Sequence, residues 1–163
     1  MLRRISIVAL LMLGPAVCAE AQIGRVPVPT RLVQTYTDLE RHLADALDRR
    51  DSGEVDKLVA PDFELRSAAH PGTPTPRADW LVQSFKEPAV PSTLEQMAVH
   101  DYGSVRVVSF LWKKSGEAAR DIMVVDVWMA SGETSVLKTR YAAIVTGGNV
   151  PGDAPPAPFN KRF

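Results

Sequence analysis

From Leu32 onward the apolar residues recur at spacings of three and four. Leu32, Tyr36, Leu39, Leu43, Ala46 and Leu47 form one stripe, and Asp38, Glu40, Arg41, Asp45 and Arg49 fill the opposite face. That period predicts an amphipathic helix with its charged residues in solvent. A shorter helix is expected directly after it. Asp51 can cap its first turn and Glu54 can reach back in a capping box, with Val55, Leu58 and Val59 facing inward and Pro61 stopping the run. Residues 62–69 then alternate as a strand does, with Phe63, Leu65 and Ser67 on one side and Glu64, Arg66 and Ala68 on the other. A proline-bearing loop, 70–75, leads into a third, short helix begun at Thr75-Pro76, whose apolar edge is Trp80, Leu81 and Phe85.

Beyond Thr93 the pattern turns to strands. Residues 94–102, 105–113, 120–129 and 134–145 are rich in β-branched and aromatic side chains, and Ser131-Gly132 is a reversal point between the last two. Val107, Val108, Phe110, Leu111 and Trp112 make one strand apolar on both faces. An antiparallel sheet with one wet face alternates cleanly, so these strands are expected to be covered twice, by helices on one side and by a second copy of the chain on the other. One charge interrupts the pattern: Asp126 alternates with Val124 and Trp128 and so points inward. Its cross-strand neighbours depend on register. With Ser131-Gly132 as a two-residue turn, Leu137, Thr139 and Tyr141 share its face; a three-residue loop puts Lys138 and Arg140 there instead.

Composition narrows the class. A chain of 163 residues with 45% hydrophobic and 23% charged side chains can bury one core and is not of disordered type. Nineteen basic and nineteen acidic residues cancel, which leaves no electrostatic footprint for nucleic acid or an anionic membrane. Met1-Leu2-Arg3-Arg4, an apolar run to Val17 and small residues around Ala19 and Ala21 read as a signal peptide over 1–21, followed by an extended lead-in over 22–30. The apolar run is short of the ~20 residues a membrane helix needs, so cleavage, export to the periplasm or medium, and no membrane attachment afterwards are expected. Cys18 is the one cysteine and leaves with the signal, so neither disulfides nor thiol chemistry is expected. The globular domain is placed at 31–146. The Pro- and Gly-rich tail, 147–163, reads as mobile or as an arm that docks Phe159 or Phe163 on a neighbouring subunit.

The run from Leu43 to Asp51, Leu58-Val59-Ala60-Pro61-Asp62-Phe63, Arg77-Ala78-Asp79-Trp80-Leu81 and above all Asp126-Val127-Trp128 carry a likeness. On these residues the chain resembles the nuclear transport factor 2-like superfamily, in particular its SnoaL-like and secreted bacterial branches of unknown function. The resemblance implies an α+β fold in which a cone-shaped, curved, mixed or antiparallel sheet wraps around N-terminal helices. For the ketosteroid isomerases of that superfamily it implies that Asp126 matches the buried aspartic acid that donates to an oxyanion. Leu43 stands where those enzymes have a tyrosine and Ser67 where they have the aspartate base, and a hydroxyl does not replace a carboxylate as proton shuttle, so that isomerisation is not expected. Thr134 and Ser135 replace an aromatic residue common in related domains.

These readings give a candidate pocket with Asp126 at its floor, walled by Trp128, Tyr36, Trp80 and Tyr141, with Ser67 and His70 toward the mouth. Such aromatic residues are more often plain core, and a structural ion pair or hydrogen bond is the commoner fate of an acid placed as Asp126 is. Arg66 and Arg140 are candidates to meet an anionic ligand or to pair with acids. His42, His70 and His100 lack metal-ligand spacing and no phosphate-cradling Gly-rich loop is present, so no cofactor and no metal are expected. The leading reading is an exported domain that binds a small apolar ligand. A cofactor-independent lyase, isomerase or hydrolase using Asp126, and a dimeric interaction module working through its sheet, are the alternatives.

Overall fold

The computed structural model describes residues 30–116, 120–132 and 134–146, so the expected signal peptide, nearly all of the lead-in and the tail lie outside the described residues. Helix α1 (Arg31–Asp48) begins where the Thr30 hydroxyl accepts the Val33 N–H at 3.3 Å, and its apolar stripe buries Tyr36, Leu43, Ala46 and Leu47. It ends at Arg50, whose φ of 56° lets Asp51 N–H bond Ala46 O at 2.9 Å and turns the chain sharply into α2 (Ser52–Leu58). Asp51 caps α2 through the Glu54 N–H at 3.1 Å. The reciprocal half of the expected capping box is absent, because the Glu54 side chain instead pairs with Lys57 at 2.5 Å and His42 at 3.4 Å.

Pro61 does not stop the second helix. Val59 is already extended and opens β1 (Val59–Ser67), with Pro61 inside the strand. It is tolerated there because the ladder to the neighbouring strand is irregular between Val59 and Glu64, where a missing N–H forfeits no regular pairing. Thr75-Pro76 forms a two-residue strand, β2, and α3 spans Arg77–Ser84. Strands β3 (Ser92–Asp101), β4 (Val105–Lys114), β5 (Ile122–Ser131) and β6 (Thr134–Ile144) complete a curved, unclosed six-stranded sheet in the order β2-β1-β6-β5-β4-β3. Among the described residues, only β1 and β6 pair in parallel. The helices lie on one face of this sheet, and Leu43, Val55, Phe63, Phe110, Trp128 and Leu137 form the centre of the core between them. The expected α+β architecture is the one observed. Among the described residues, no helix is long and apolar enough to cross a membrane.

The sequence left two β5–β6 registers open, and the hairpin combines them: a two-residue connection, yet with Arg140 opposite Asp126. Ser131 pairs with Thr134, so two residues separate the strands and Gly132 adopts φ 61°. Near the turn Trp128 faces Leu137, yet Val127 faces Thr139: Lys138 is one residue too many and bulges out of β6. The bulge flips the parity of the rest of the strand, so that Asp126 faces Arg140 rather than Thr139. Lys138 itself bonds the Asp62 carboxylate at the surface.

Candidate functional site

Asp126, Arg140 and Glu40 meet in the core. Asp126 is fully buried, Glu40 is 2% exposed and Arg140 5%. The Arg140 Nε donates to Asp126 Oδ1 at 2.9 Å and Oδ2 at 3.1 Å, while its Nη2 donates to Asp126 Oδ2 at 2.5 Å and to Glu40 Oε2 at 2.8 Å. The remaining Glu40 oxygen accepts the Trp128 indole N–H at 2.8 Å. One guanidinium thus ties β6 to β5 and both to α1, and the planar fork of arginine suits such a two-sided clamp.

Three ionised groups here would carry a net charge of −1 in a dry interior. Burial, and after it the charge of Asp126, hold the Glu40 carboxyl well above the usual carboxylate range, with Arg140 acting the other way. A proton on Glu40 makes the cluster neutral. Burial opposes the Arg140 charge, but the two carboxyls beside it raise its pKa and keep it protonated. Glu40 is the residue that sequence reasoning placed wrongly: its charge assigned it to the solvent face. The signal available was Glu40's position four residues after Tyr36, on the same side of the helix as the apolar stripe.

Arg140 also opens onto a cavity of about 170 Å³ bounded by α1, α3, the segment 87–92 and the inner face of the sheet. Leu47, Leu65, Trp80, Trp112 and Val124 give it apolar walls; Asp48, Glu87 and Lys114 are its charged groups besides Arg140. Trp112 contributes a second feature: its Nε1–H is buried with no hydrogen-bond partner. The indole ring lies 4.8 Å from Lys114 Nζ and 5.8 Å from the Arg140 Cζ, so cations attend its π surface while its one donor is left over. An unpartnered buried donor costs about 1–3 kcal/mol.

The expected pocket is therefore redrawn. Trp80 lines this cavity, but Asp126 does not form its floor; it stands behind Arg140 and holds it. Trp128 and Tyr36 are core, their rings edge to face at 5.9 Å, with the Tyr36 hydroxyl 3.2 Å from Ser135 Oγ. Tyr141 is 46% exposed and, with Ser67, borders a separate hollow on the opposite side of the sheet. Tyr141 was misplaced because the bulge moved it to the outer face, opposite Val125. The Ser67 hydroxyl accepts the Ala69 N–H at 3.1 Å, and His70 is exposed in the loop beyond. Leu43, at the position of the isomerase tyrosine, is core.

No protein-family model matches the sequence, and no curated protein matches it either. Solved structures do. An NTF2-like protein from Cytophaga hutchinsonii superposes with a TM-score of 0.60 at 14% identity, over 69% of this chain and 97% of the other. This is the nuclear transport factor 2-like fold. A CaMKII hub from S. rosetta superposes with a TM-score of 0.61 at 15% identity, covering 72% of this chain and 100% of the hub. A protein from Streptomyces avermitilis, provisionally assigned as a dehydratase of the NTF2-like family, aligns with a TM-score of 0.56 at 15% identity over 71% of this chain and 96% of its own. Within the NTF2-like fold, the cavity described here lies between the helices and the concave face of the sheet.

Proposed function

We propose that this chain is an exported NTF2-like domain that binds a small, largely apolar molecule presenting a hydrogen-bond acceptor to Arg140 and Trp112. The observation that carries this reading is a cavity wall on which a guanidinium fixed by two carboxyls stands beside Trp112, whose buried indole N–H has no partner of its own. Binding is favoured over catalysis because the one carboxylate that the superfamily resemblance marked as an acid is committed to Arg140 and turned away from the cavity. Native mass spectrometry of the protein purified gently from an exporting host tests it. A co-purifying small molecule that is lost in Trp112→Phe supports the reading; a ligand retained unchanged in that variant sits elsewhere and overturns it.

A second reading, self-association through the outer face of the sheet, rests on Met123, Met129 and Tyr141, which are large, apolar and exposed there. Several proteins of the same fold are hub or association domains. The two readings use opposite faces and are compatible.

A further inference from the structure

The cluster behind the cavity and the cavity itself share one group, Arg140. We infer that the cavity takes its ligand as an anion and that the Glu40–Asp126–Arg140 cluster must hold one proton for that anion to bind. This inference rests on the cavity reading above and deepens it, by stating the charge of the ligand and a proton linkage.

The argument is one of charge in a closed space. With Glu40 protonated, Arg140 and Asp126 neutralise each other, and the guanidinium Nη1, which bonds neither carboxyl, is the group left to donate to an anion in the cavity at no net electrostatic penalty. With Glu40 ionised, the cluster is already −1, and an anion against Arg140 would bring it to −2 out of water. Burial and Asp126 already favour the protonated acid, and an anion adds a third term of the same sign. Each therefore stabilises the other: the anion holds the proton on Glu40, and the proton permits the anion. The groups that act on Glu40 are Asp126 and Trp128 from β5 and Arg140 from β6. Asp48 from α1, Glu87 from the segment after α3, and Lys114 and the Trp112 indole from β4 face the cavity side of Arg140. A neutral ligand of the same shape feels none of this coupling to first order.

Benzoate and benzamide are a matched pair for the test, nearly equal in shape and both bearing a carbonyl acceptor, but differing by one charge. Their affinities are measured by calorimetry across pH 5.5–9.5 on the full domain, and the Trp112 indole N–H resonance reports whether each sits in the cavity. Benzoate affinity is expected to be level at low pH and to fall about tenfold per pH unit once Glu40 ionises, with uptake of one proton per ligand in that range. Benzamide affinity is expected to stay level. In Glu40→Gln, which is uncharged at every pH, the benzoate profile is expected to flatten; a slope that survives there belongs to another group and overturns the inference. Parallel pH profiles for the two probes in the wild-type protein also overturn it, without any variant having to fold, while leaving the cavity reading intact. Failure of both probes to shift the Trp112 resonance overturns the cavity reading and this inference together.

Discussion

Strands β5 and β6 present two faces with opposite habits. Toward the helices, Asp126 and Arg140 sit among Val124, Trp128 and Leu137, all essentially without solvent. Toward the outside, Met123, Val125, Val127 and Met129 face Ala143, Tyr141, Thr139 and Val136, with Met123 41% and Tyr141 46% exposed. Charge is inside and apolar surface is outside. A strand obeying only the hydrophobic effect does the reverse. The inner anomaly is resolved within the chain, since every formal charge there has a partner; the outer one is not resolved by anything the chain itself folds onto it among the described residues. Groups that are costly to bury are retained where they position a site, and groups that are costly to expose are retained where something covers them.

The sharpest way to break the inner half of this comparison is Arg140→Ala. Two carboxyls would then share a dry site with no cation, and the expected loss is about 3–5 kcal/mol of unfolding free energy, read from urea titrations. Replacing the whole cluster at once, with Glu40→Leu, Asp126→Leu and Arg140→Met, is expected to recover most of that loss or exceed the wild type, while ligand binding stays lost. A single substitution costing under about 1 kcal/mol would mean that water reaches the carboxyls, and the inner face would no longer count as dry.

Glu40 gives a second test, through pH. Its folded-state pKa lies above the ordinary value of 4.5, so the folded protein holds a proton that the unfolded chain has released. Its contribution to stability is therefore complete below about pH 4.5 and is lost as pH rises toward the folded-state value, at up to about 1.4 kcal/mol per pH unit. This is opposite in sign to the acid lability that a buried, ionised carboxylate would confer. Urea midpoints measured at half-unit steps from pH 4.5 upward should fall in the wild type, and the Glu40→Gln variant should lose that slope.

Much of the fold can be read from local pattern, and the particular elements show where pattern stops. The α1 stripe from Leu32 to Leu47, the Asp51 cap and the four long strands follow from periods and turn residues within a few positions of one another. The inward aim of Asp126 follows equally from its alternation with Val124 and Trp128. Its partner does not, because the face of Arg140 is set by an unpaired Lys138, and a bulge is a property of two strands taken together. Glu40 fails for a related reason. A carboxyl in a helix reads as solvated until a tryptophan and an arginine from strands nearly a hundred residues away are known to meet it. The cavity joins α1, α3 and five strands, and no local signal reports it.

Trp112→Phe separates positioning from stability on the inner face. The ring shrinks but the unpartnered donor goes, so packing lost and desolvation recovered oppose each other and the net change in unfolding free energy is expected to stay within about 1 kcal/mol. Benzoate affinity is expected to fall about tenfold, the worth of one hydrogen bond to a charged acceptor. A large loss of stability with unchanged affinity would reassign Trp112 to the core alone.

The outer face is expected to respond least in unfolding and most in assembly. Met123→Lys with Tyr141→Lys places two charges where both side chains already meet water, so the isolated subunit should change by no more than about 0.5 kcal/mol. If a second copy covers this face, the same lysines become buried without partners and repel their symmetry mates, since a two-fold interface sets each patch against its own copy. Sedimentation velocity of the wild type should then show a dimer, and the variant a monomer of unchanged secondary structure. A wild-type protein that is monomeric at high micromolar concentration would leave the apolar outer face uncovered in solution, and the contrast between the two faces would then rest on the cavity side alone.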